Sequence, residues 1–444
     1  MGYCPHTPAD IRLMLDAVGA ASLEDLFADI PPDLRSGPLN LPAALSEFEV
    51  MERLRGMASA SAREPVSFLG GGAYDHYVPA AVDALAGRAE FYTAYTPYQP
   101  ECSQGTLQAL YEYQTAICRL TGLDVANASL YDGGTALAEA LLMALRVTRR
   151  SRVVLDGALP PAYLEIVRTY LGARSCEVQV VAPLGCSSDA AGLASRLDGT
   201  AAAVAAAVPN FFGSVADFGA VTEKARSLGA LSVASCRPLA LGLFRPPGEA
   251  GFDVACGEGQ SLGSRLNFGG PYLGFLAARR GHVRALPGRI AGATVDGEGR
   301  RGFVLTLQAR EQHIRRQRAT SNICTNQGLC ALRALIYLCC LGARGFERLA
   351  RLNYDRAHYA AAIWGEIPGV EVANRDPFFN EFVLRLPGPA EAVAGRLLRR
   401  GIAAGIPLGA LDPGRDRELL VAVTETASRA AIERCRDALA EAVR

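Results

Sequence analysis

The stretch Ala203-Val204-Ala205-Ala206-Ala207-Val208 is an apolar run inside a repeating pattern of short apolar runs and helical stretches. Helical stretches separate several of these runs, as a mostly parallel sheet requires. The pattern extends over about residues 106–278 and predicts an α/β fold. The predicted strands are residues 152–155, 178–181, 203–208, 231–234 and 272–277.

The segments on either side of this pattern predict two further parts of the chain. The first sixty residues are typical of helices, with Thr7 as an N-cap before Pro8, a capping-box spacing at Ser22 to Asp25, and a third helix at about 43–60. After a loop-rich section at 281–302 and a long helix at about 327–341, the tail alternates helices with strands at 370–373, 379–386 and 419–423. We therefore expect a helical N-terminal arm (1–65), a large α/β domain (66–340) and a small C-terminal α+β domain (341–444).

Composition excludes several classes of function. The 444 residues carry 45 basic and 45 acidic side chains, and this zero net charge does not favour nucleic acid or an anionic membrane as a partner. No C-x-x-C occurs among the twelve cysteines, and with only five histidines no metal site is expected. The first residues do not resemble a signal peptide, and no apolar run of membrane-spanning length lacks charge or glycine. We expect a cytoplasmic protein.

The chain contains a single lysine, Lys224, and its other 44 basic residues are arginines. Arginine stays protonated and cannot form a Schiff base, so covalent amine chemistry must use Lys224 or a lysine of another chain. Residues 217–229 have the pattern of an amphipathic helix that ends at a glycine, with Val221, Ala225 and Leu228 on its apolar face. Lys224 lies off that face, so we interpret it as a surface residue.

A segment rich in tyrosine precedes the predicted helix at 106–120. Tyr95-Thr96-Pro97-Tyr98-Gln99-Pro100-Glu101 is polar and contains two prolines. Tyrosines in such a loop can donate hydrogen bonds and pack against a flat ligand at low entropic cost. An ordered structural loop at an interface is the alternative, and the residues alone do not decide between the two.

Two glycine-rich segments are candidates for close backbone contact with a ligand. Asp132-Gly133-Gly134-Thr135 predicts a turn that begins a helix, where backbone N–H groups favour a phosphate, although many such turns bind nothing. The segment 257–271 follows a short apolar stretch, and its glycines indicate tight turns. It contains Gln260 and no lysine.

The segment 308–327 is basic and then small and polar. Its arginines could contact a carboxylate, a phosphate or an acidic partner, or they could form a solvated charge run, which we favour for Arg315 and Arg316. Cys324 has no histidine at close spacing and is not expected to be a nucleophile. His76 is expected to be a hydrogen-bonded structural histidine. The arginines of the segment include Arg310, Arg315, Arg316 and Arg318.

Four long motifs are specific enough to indicate a family. They are Ser67-Phe68-Leu69-Gly70-Gly71-Gly72-Ala73-Tyr74-Asp75-His76, Tyr95 to Glu101, Asn127-Ala128-Ser129-Leu130-Tyr131-Asp132-Gly133-Gly134-Thr135, and Ala319-Thr320-Ser321-Asn322-Ile323-Cys324-Thr325-Asn326. Together they resemble the glycine cleavage system P-protein, more narrowly subunit 1 of its two-chain form, over nearly the whole chain. A large α/β domain followed by a small one is also the layout of fold-type I pyridoxal-phosphate enzymes.

The resemblance implies that the Schiff-base lysine belongs to the partner, subunit 2, which binds pyridoxal 5'-phosphate covalently. Gln260 stands at the place of that lysine in this chain, and Gly133, Gly134 and Thr135 are then an inherited phosphate turn. The region around Arg237 has no aspartate to support a pyridine ring. The implied reaction is the decarboxylation of glycine, with transfer of the aminomethyl group to the lipoyl arm of the H-protein.

The resemblance also implies that the active site lies between two subunits, in a two-plus-two heterotetramer that works with the H-, T- and L-proteins. We expect the tyrosine-rich loop to serve the partner's site, with catalytic contributions from Tyr95, Tyr98, Gln99 and Glu101. Contacts with substrate or partner are expected from Thr96, Pro97, Ser103, Arg318, Thr320, Ser321 and Asn322.

Two alternatives use the same residues differently. A purely structural subunit would stabilise the catalytic chain and dock the H-protein without contributing atoms to the site. A self-sufficient lyase or transaminase would use Lys224 and bind pyridoxal phosphate alone.

Overall fold

A computed structural model describes residues 5–37, 39–61, 66–92, 94–267, 269–323 and 325–444, and the chain forms two compact units, residues 1–63 and 64–444. The helices are α1 (Pro8–Val18), α2 (Glu47–Ser61), α3 (Ala80–Ala86), α4 (Ala89–Tyr92), α5 (Gln104–Thr121), α6 (Gly133–Thr148), α7 (Pro161–Gly172), α8 (Ala190–Arg196), α9 (Gly219–Leu228), α10 (Gln312–Arg315), α11 (Gly328–Gly365), α12 (Ala390–Arg399) and α13 (Arg429–Ala442). The strands are β1 (Val66–Ser67), β2 (Val125–Ala126), β3 (Arg152–Asp156), β4 (Glu177–Val181), β5 (Ala201–Val208), β6 (Leu231–Cys236), β7 (Val254–Glu258), β8 (Gly274–Ala278), β9 (Ile290–Val295), β10 (Arg301–Thr306), β11 (Glu371–Val372), β12 (Glu381–Arg385), β13 (Ile402–Ala403), β14 (Ile406–Pro407) and β15 (Glu418–Ala422).

The N-terminal unit is helical, as its capping signals predict. Thr7 and Asp10 form a capping box at the start of α1, with Pro8 in the first turn. Ser22 and Asp25 form a second capping box, which begins a short 3-10 helix. None of the described residues in this unit is buried. Local hydrogen bonds at the helix ends therefore define its elements more than a core does.

A seven-stranded sheet forms the centre of the second unit, in the order β2-β8-β7-β6-β5-β3-β4. The pairs from β7 to β4 are all parallel, whereas β8 is antiparallel to both of its neighbours. Alternate side chains of each strand face opposite layers. Val153 and Leu155 pack in the cluster that contains α6 and α7, and Val154 packs in the cluster that contains α8 and α9. The predicted mostly parallel α/β fold is confirmed.

The remaining part of the second unit packs a four-stranded antiparallel sheet, in the order β11-β12-β15-β14, against helices. The core of this part includes Trp364 of α11, Phe382 of β12 and residues of α12 and α13. The short strand β1 pairs in parallel with β13. This part supplies Glu381, at the start of β12, to the site described below.

Some elements differ from those that the sequence predicts. The loop-rich section holds an antiparallel hairpin of β9 and β10, and the stretch before Gly257 is a parallel strand, β7. The long predicted helix does not end at residue 341, because α11 continues to Gly365 across Gly342, whose φ of 60° and ψ of 176° are not helical.

The predicted amphipathic helix with Lys224 is confirmed as α9, with Gly229 as its left-handed cap and Lys224 partly exposed.

By length and composition alone, α11 is the one helix in the described part of the chain that would be able to cross a membrane. Its residues Cys330, Ala331 and Ala334 are buried in the same core cluster as Leu107 and Leu110 of α5. In this fold α11 therefore serves as a core helix.

Gly213 lets the large sheet domain approach β12 closely, which gives a test of the packing. Its φ is +86°, and a Cβ atom there would collide with the carbonyl group of Glu381. We expect Gly213→Ala to lower the free energy of unfolding by at least about 2 kcal/mol, because it combines a strained φ with overpacking. Urea unfolding of the purified chain measures the loss. The control is Gly199→Ala at an exposed glycine with nothing near its Cβ position, and equal stability of the two variants would contradict the packing.

Candidate functional site

A crevice lies beyond the carboxyl ends of strands β5, β6 and β7, the edge at which open α/β sheets bind their ligands. This open crevice has about 50 Å³ of free volume, which is room for a few water molecules. Polar side chains from distant parts of the chain converge on it. They include Tyr74, Tyr163, Asn210, Arg237, Glu258 and Gln260.

The predicted phosphate turn lies behind two residues that line this crevice, Tyr163 and Glu258. Asp132 is the N-cap of α6, and its Oδ1 accepts a hydrogen bond of 2.8 Å from the N–H of Thr135. The N–H of Gly133 donates to Oε2 of Glu258 at 3.0 Å. Gly133 and Gly134 are buried, and a Cβ atom at Gly133 would collide with the hydroxyl of Tyr163. The turn therefore binds side chains of its own chain.

Gln260 lies in the segment after β7, with 1% of its surface exposed. Its Oε1 accepts a hydrogen bond of 3.2 Å from the N–H of Tyr74, and its Nε2 donates to the carbonyl oxygens of Tyr74 at 3.1 Å and Ser264 at 2.8 Å. The side-chain amide thus fastens the backbone at Tyr74 to the segment after β7. Gln260 acts here as a buried connector between two loops.

Arg237 follows β6, lines the crevice and forms an ion pair with the buried side chain of Glu381. Its guanidinium contacts Oε2 of Glu381 at 2.6 Å and also bonds the hydroxyl of Tyr74 and the side chain of Asn380. Glu381 is fully buried, and its two oxygens also accept hydrogen bonds of 2.7 Å from the N–H of Gly71 and the hydroxyl of Tyr74. A cation rather than an aspartate therefore follows β6, which does not suit a protonated pyridine ring.

The tyrosine-rich loop lies elsewhere, with Tyr95 78% and Tyr98 44% exposed. Tyr95, Thr96 and Pro97 line a second pocket of about 220 Å³, which we call the tyrosine pocket. Its opposite wall is the start of α11 and the residues before it, Thr325, Asn326, Gln327 and Gly328. The structure thus brings together two of the segments that carry the family resemblance.

The other predicted site residues lie outside the lining of the tyrosine pocket. Gln99, Glu101, Arg318 and Asn322 are exposed, whereas Ser103, Thr320 and Ser321 are partly buried. Ser103 precedes α5 without a side-chain capping bond. Cys324 falls outside the described residues. Arg310, a further candidate for anion contact, donates instead to backbone carbonyls, including that of Gly288 at 3.0 Å.

Tyr98 is fixed by a buried arginine that the sequence did not single out. Nη2 of Arg289 donates to the Tyr98 hydroxyl at 2.6 Å, and its guanidinium lies 5.0 Å from the centre of the Tyr98 ring. Arg289 is 3% exposed and lies 3.6 Å from the carboxylate of Glu311. Its Nε and Nη1 have no hydrogen-bond partner among the described residues. Arg289 stands at the start of the unpredicted hairpin, so no sequence pattern linked it to the loop.

His76 is buried and hydrogen-bonded, as the sequence predicts. Its Nδ1 lies 2.8 Å from Oε2 of Glu425, and the N–H of Tyr77 donates to Oε1 of the same carboxylate at 2.7 Å. Burial raises the pKa of Glu425, but its interactions with His76 and the backbone hydrogen bonds, including that from Tyr77, together outweigh burial, so this pKa lies below its usual range. Within the described ranges, no group of three or more histidine, cysteine, aspartate or glutamate side chains is arranged to hold a metal ion.

Known proteins similar to this chain share its full length. The family model described as glycine cleavage system P-protein matches residues 1–439. A relative from Citrifermentans bemidjiense, named probable glycine dehydrogenase (decarboxylating) subunit 1, is 58% identical over 443 residues and covers 100% of both chains. A second relative, with the same name, from Geotalea daltonii is 55% identical and covers 100% of this chain and 99% of its own.

A solved structure agrees with these relatives. The crystal structure of glycine decarboxylase (P-protein) of the glycine cleavage system, in inhibitor-bound form, matches with a TM-score of 0.93 and 47% identity over 100% of both chains. Since a family model and relatives of more than half identity span nearly every residue, the chain belongs to the glycine cleavage system P-protein family.

Proposed function

We propose that this chain is subunit 1 of a two-chain glycine decarboxylase and that it completes the active site of a lysine-bearing partner. The relatives named subunit 1 of glycine dehydrogenase (decarboxylating) support this, because such a name implies a second subunit. The residues of the chain agree, since Lys224 is on α9, outside both pockets, and Gln260 lies in the crevice. The partner then carries pyridoxal phosphate.

The reaction proposed for the complex releases carbon dioxide from glycine and transfers the aminomethyl group to the lipoyl arm of the H-protein. The T- and L-proteins process the products, and two copies of each P-protein subunit assemble in the cytoplasm. We assign no bond-making or bond-breaking step to this chain, because its crevice offers an amide where the chemistry needs an amine. Its contribution is binding and orientation.

We propose that the chain binds and orients the reacting groups through the tyrosine pocket. The Tyr95 hydroxyl has no hydrogen-bond partner among the described residues and 78% of the residue is exposed. Nδ2 of Asn326, in the opposite wall, is buried and also lacks a partner within the described chain. A buried donor without a partner, such as Nδ2 of Asn326, is costly, so a group from outside that accepts its hydrogen bond is favoured. The pairing of these two segments is the observation that carries the proposal.

The remaining loop residues divide between anchoring and contact. The Tyr98 hydroxyl is bound to Arg289, so we assign Tyr98 to positioning the loop. Thr96 and Pro97 form the pocket wall beside Tyr95. The exposed side chains of Gln99 and Glu101 are free to contact the partner, and we assign them this role. We assign the same role to Ser103, Arg318, Thr320, Ser321 and Asn322.

A purely structural subunit remains the second candidate, and one change separates the two. We expect Tyr95→Phe, in the complex co-expressed with subunit 2, to lower kcat for glycine–bicarbonate exchange by about 3- to 10-fold, which corresponds to one lost hydrogen bond of roughly 0.5–1.5 kcal/mol. Size-exclusion chromatography should show an intact complex. The control, Tyr170→Phe on α7, removes a partly exposed hydroxyl outside the loop and should leave exchange unchanged. Equal rates for both variants in intact complexes would support the structural subunit.

The dependence on a partner gives a second prediction. The purified chain alone should bind no pyridoxal phosphate and should not exchange glycine with bicarbonate, whereas both properties should appear on co-expression with subunit 2. Absorbance of the bound cofactor measures pyridoxal phosphate binding, and the exchange assay measures the glycine–bicarbonate reaction. Activity in the lone chain, lost on changing Lys224 to arginine, would instead establish the self-sufficient enzyme.

A further inference from the structure

Three backbone amides converge on one carboxylate at the wall of the crevice. The N–H groups of Gln260 and Leu273 donate to Oε1 of Glu258 at 2.8 and 2.9 Å, and the N–H of Gly133 donates to Oε2 at 3.0 Å. These donors come from the segment just after β7, the residue before β8 and the first turn of α6. Such a concave group of N–H donors at a helix N-terminus is the arrangement that binds phosphates and other anions in proteins.

A second carboxylate already lies at the same helix end. Asp132 caps α6 through Thr135, so two acidic side chains face the positive end of the helix dipole. Burial raises the pKa of Glu258, and the charge of Asp132 adds to this, although the three N–H bonds act in the opposite direction. The negative charge that this helix end can stabilise is therefore supplied by the chain, and a further anion would be repelled.

The rest of the crevice is filled in the same way. The Tyr163 hydroxyl packs against Gly133, and the guanidinium of Arg237 lies 4.0 Å from the centre of the Tyr74 ring. Both Arg237 and Tyr74 bind the buried carboxylate of Glu381. The free volume of about 50 Å³ is too small for a phosphorylated pyridine ring.

We propose that the crevice is an anion site occupied from within, in which the Glu258 carboxylate takes the place of a phosphate. Three features therefore exclude pyridoxal phosphate: the Glu258 carboxylate in the anion site, the Arg237–Glu381 pair, and the absence of a lysine. The same contacts give the crevice a structural task. The neighbouring bonds tie the backbone of Gly71 to Glu381 of β12 and that of Tyr74 to Gln260 after β7, so the ligand site now holds two parts of the second unit together.

Removing the carboxylate should convert the internal site into one that an external anion can fill. Glu258→Ala leaves three N–H donors unpaired and opens space for a small carboxylate. We expect its thermal midpoint to fall by several degrees in chloride and to recover in acetate at equal ionic strength, as binding to the folded state requires. Purification in acetate keeps the variant folded until acetate is exchanged for chloride. The full-length chain without its partner is used, so failure here is distinguishable from failure of the proposed function.

Two controls make the result specific. Glu258→Gln keeps the crevice filled with an isosteric side chain and should, like the unchanged chain, show no selective gain in acetate, inorganic phosphate or pyridoxal phosphate. Gln260→Lys alone should trap no pyridoxal phosphate on borohydride reduction, as read by intact mass. Trapping at residue 260 in that variant, or an acetate response of Glu258→Ala no larger than that of the unchanged chain, would overturn the proposal.

Discussion

The buried carboxylate of Glu381 is the constraint on which the crevice and its surroundings depend. A fully buried charge is tolerated only when it is paired and hydrogen-bonded, and Glu381 meets Arg237, the Tyr74 hydroxyl and the N–H of Gly71. Removing one member of such a pair typically costs about 3–5 kcal/mol, because the other charge stays buried without compensation. The end of β6, the glycine-rich segment at 70–72 and the start of β12 are thereby held in one arrangement.

Much of the central fold is predictable because its signals are local. Strand β5 is buried on both faces of the sheet, and its continuous run of apolar residues is enough to predict this burial. Capping residues such as Thr7 and Ser22 likewise act within a few positions of themselves. The hairpin of β9 and β10 was missed because its strand β9 is buried only at its first residues and exposed at its end, so it has neither a continuous nor an alternating pattern. The domain boundary expected at 341 remains a prediction, and α11 crosses that position without ending.

The site was predictable to a smaller extent, since its contacts join residues that are far apart in the sequence. The family resemblance implies that Gln260 stands in the place of a lysine, but Tyr74, which binds its amide, lies 186 positions earlier. Glu258 lies in the same segment, and nothing local in the sequence shows that its carboxylate accepts a hydrogen bond from Gly133. Arg289 was missed altogether, since only the folded chain places it beneath Tyr98. The roles assigned to the loop residues themselves remain predictions.

The two pockets differ in the partners of their central polar groups, although the hydroxyl of Ser261 in the crevice also lacks a partner among the described residues. In the crevice, the acceptors of Glu258 and the amide of Gln260 are bound by the chain itself, so a ligand would have to break existing hydrogen bonds. Near the tyrosine-rich loop, Asn326 and Arg289 keep buried donors without partners among the described residues. Each such donor costs about 1–3 kcal/mol. A folded chain retains that cost most readily where binding of another molecule offsets it, which is the physical basis on which we propose the loop side of this subunit as its contact with a partner.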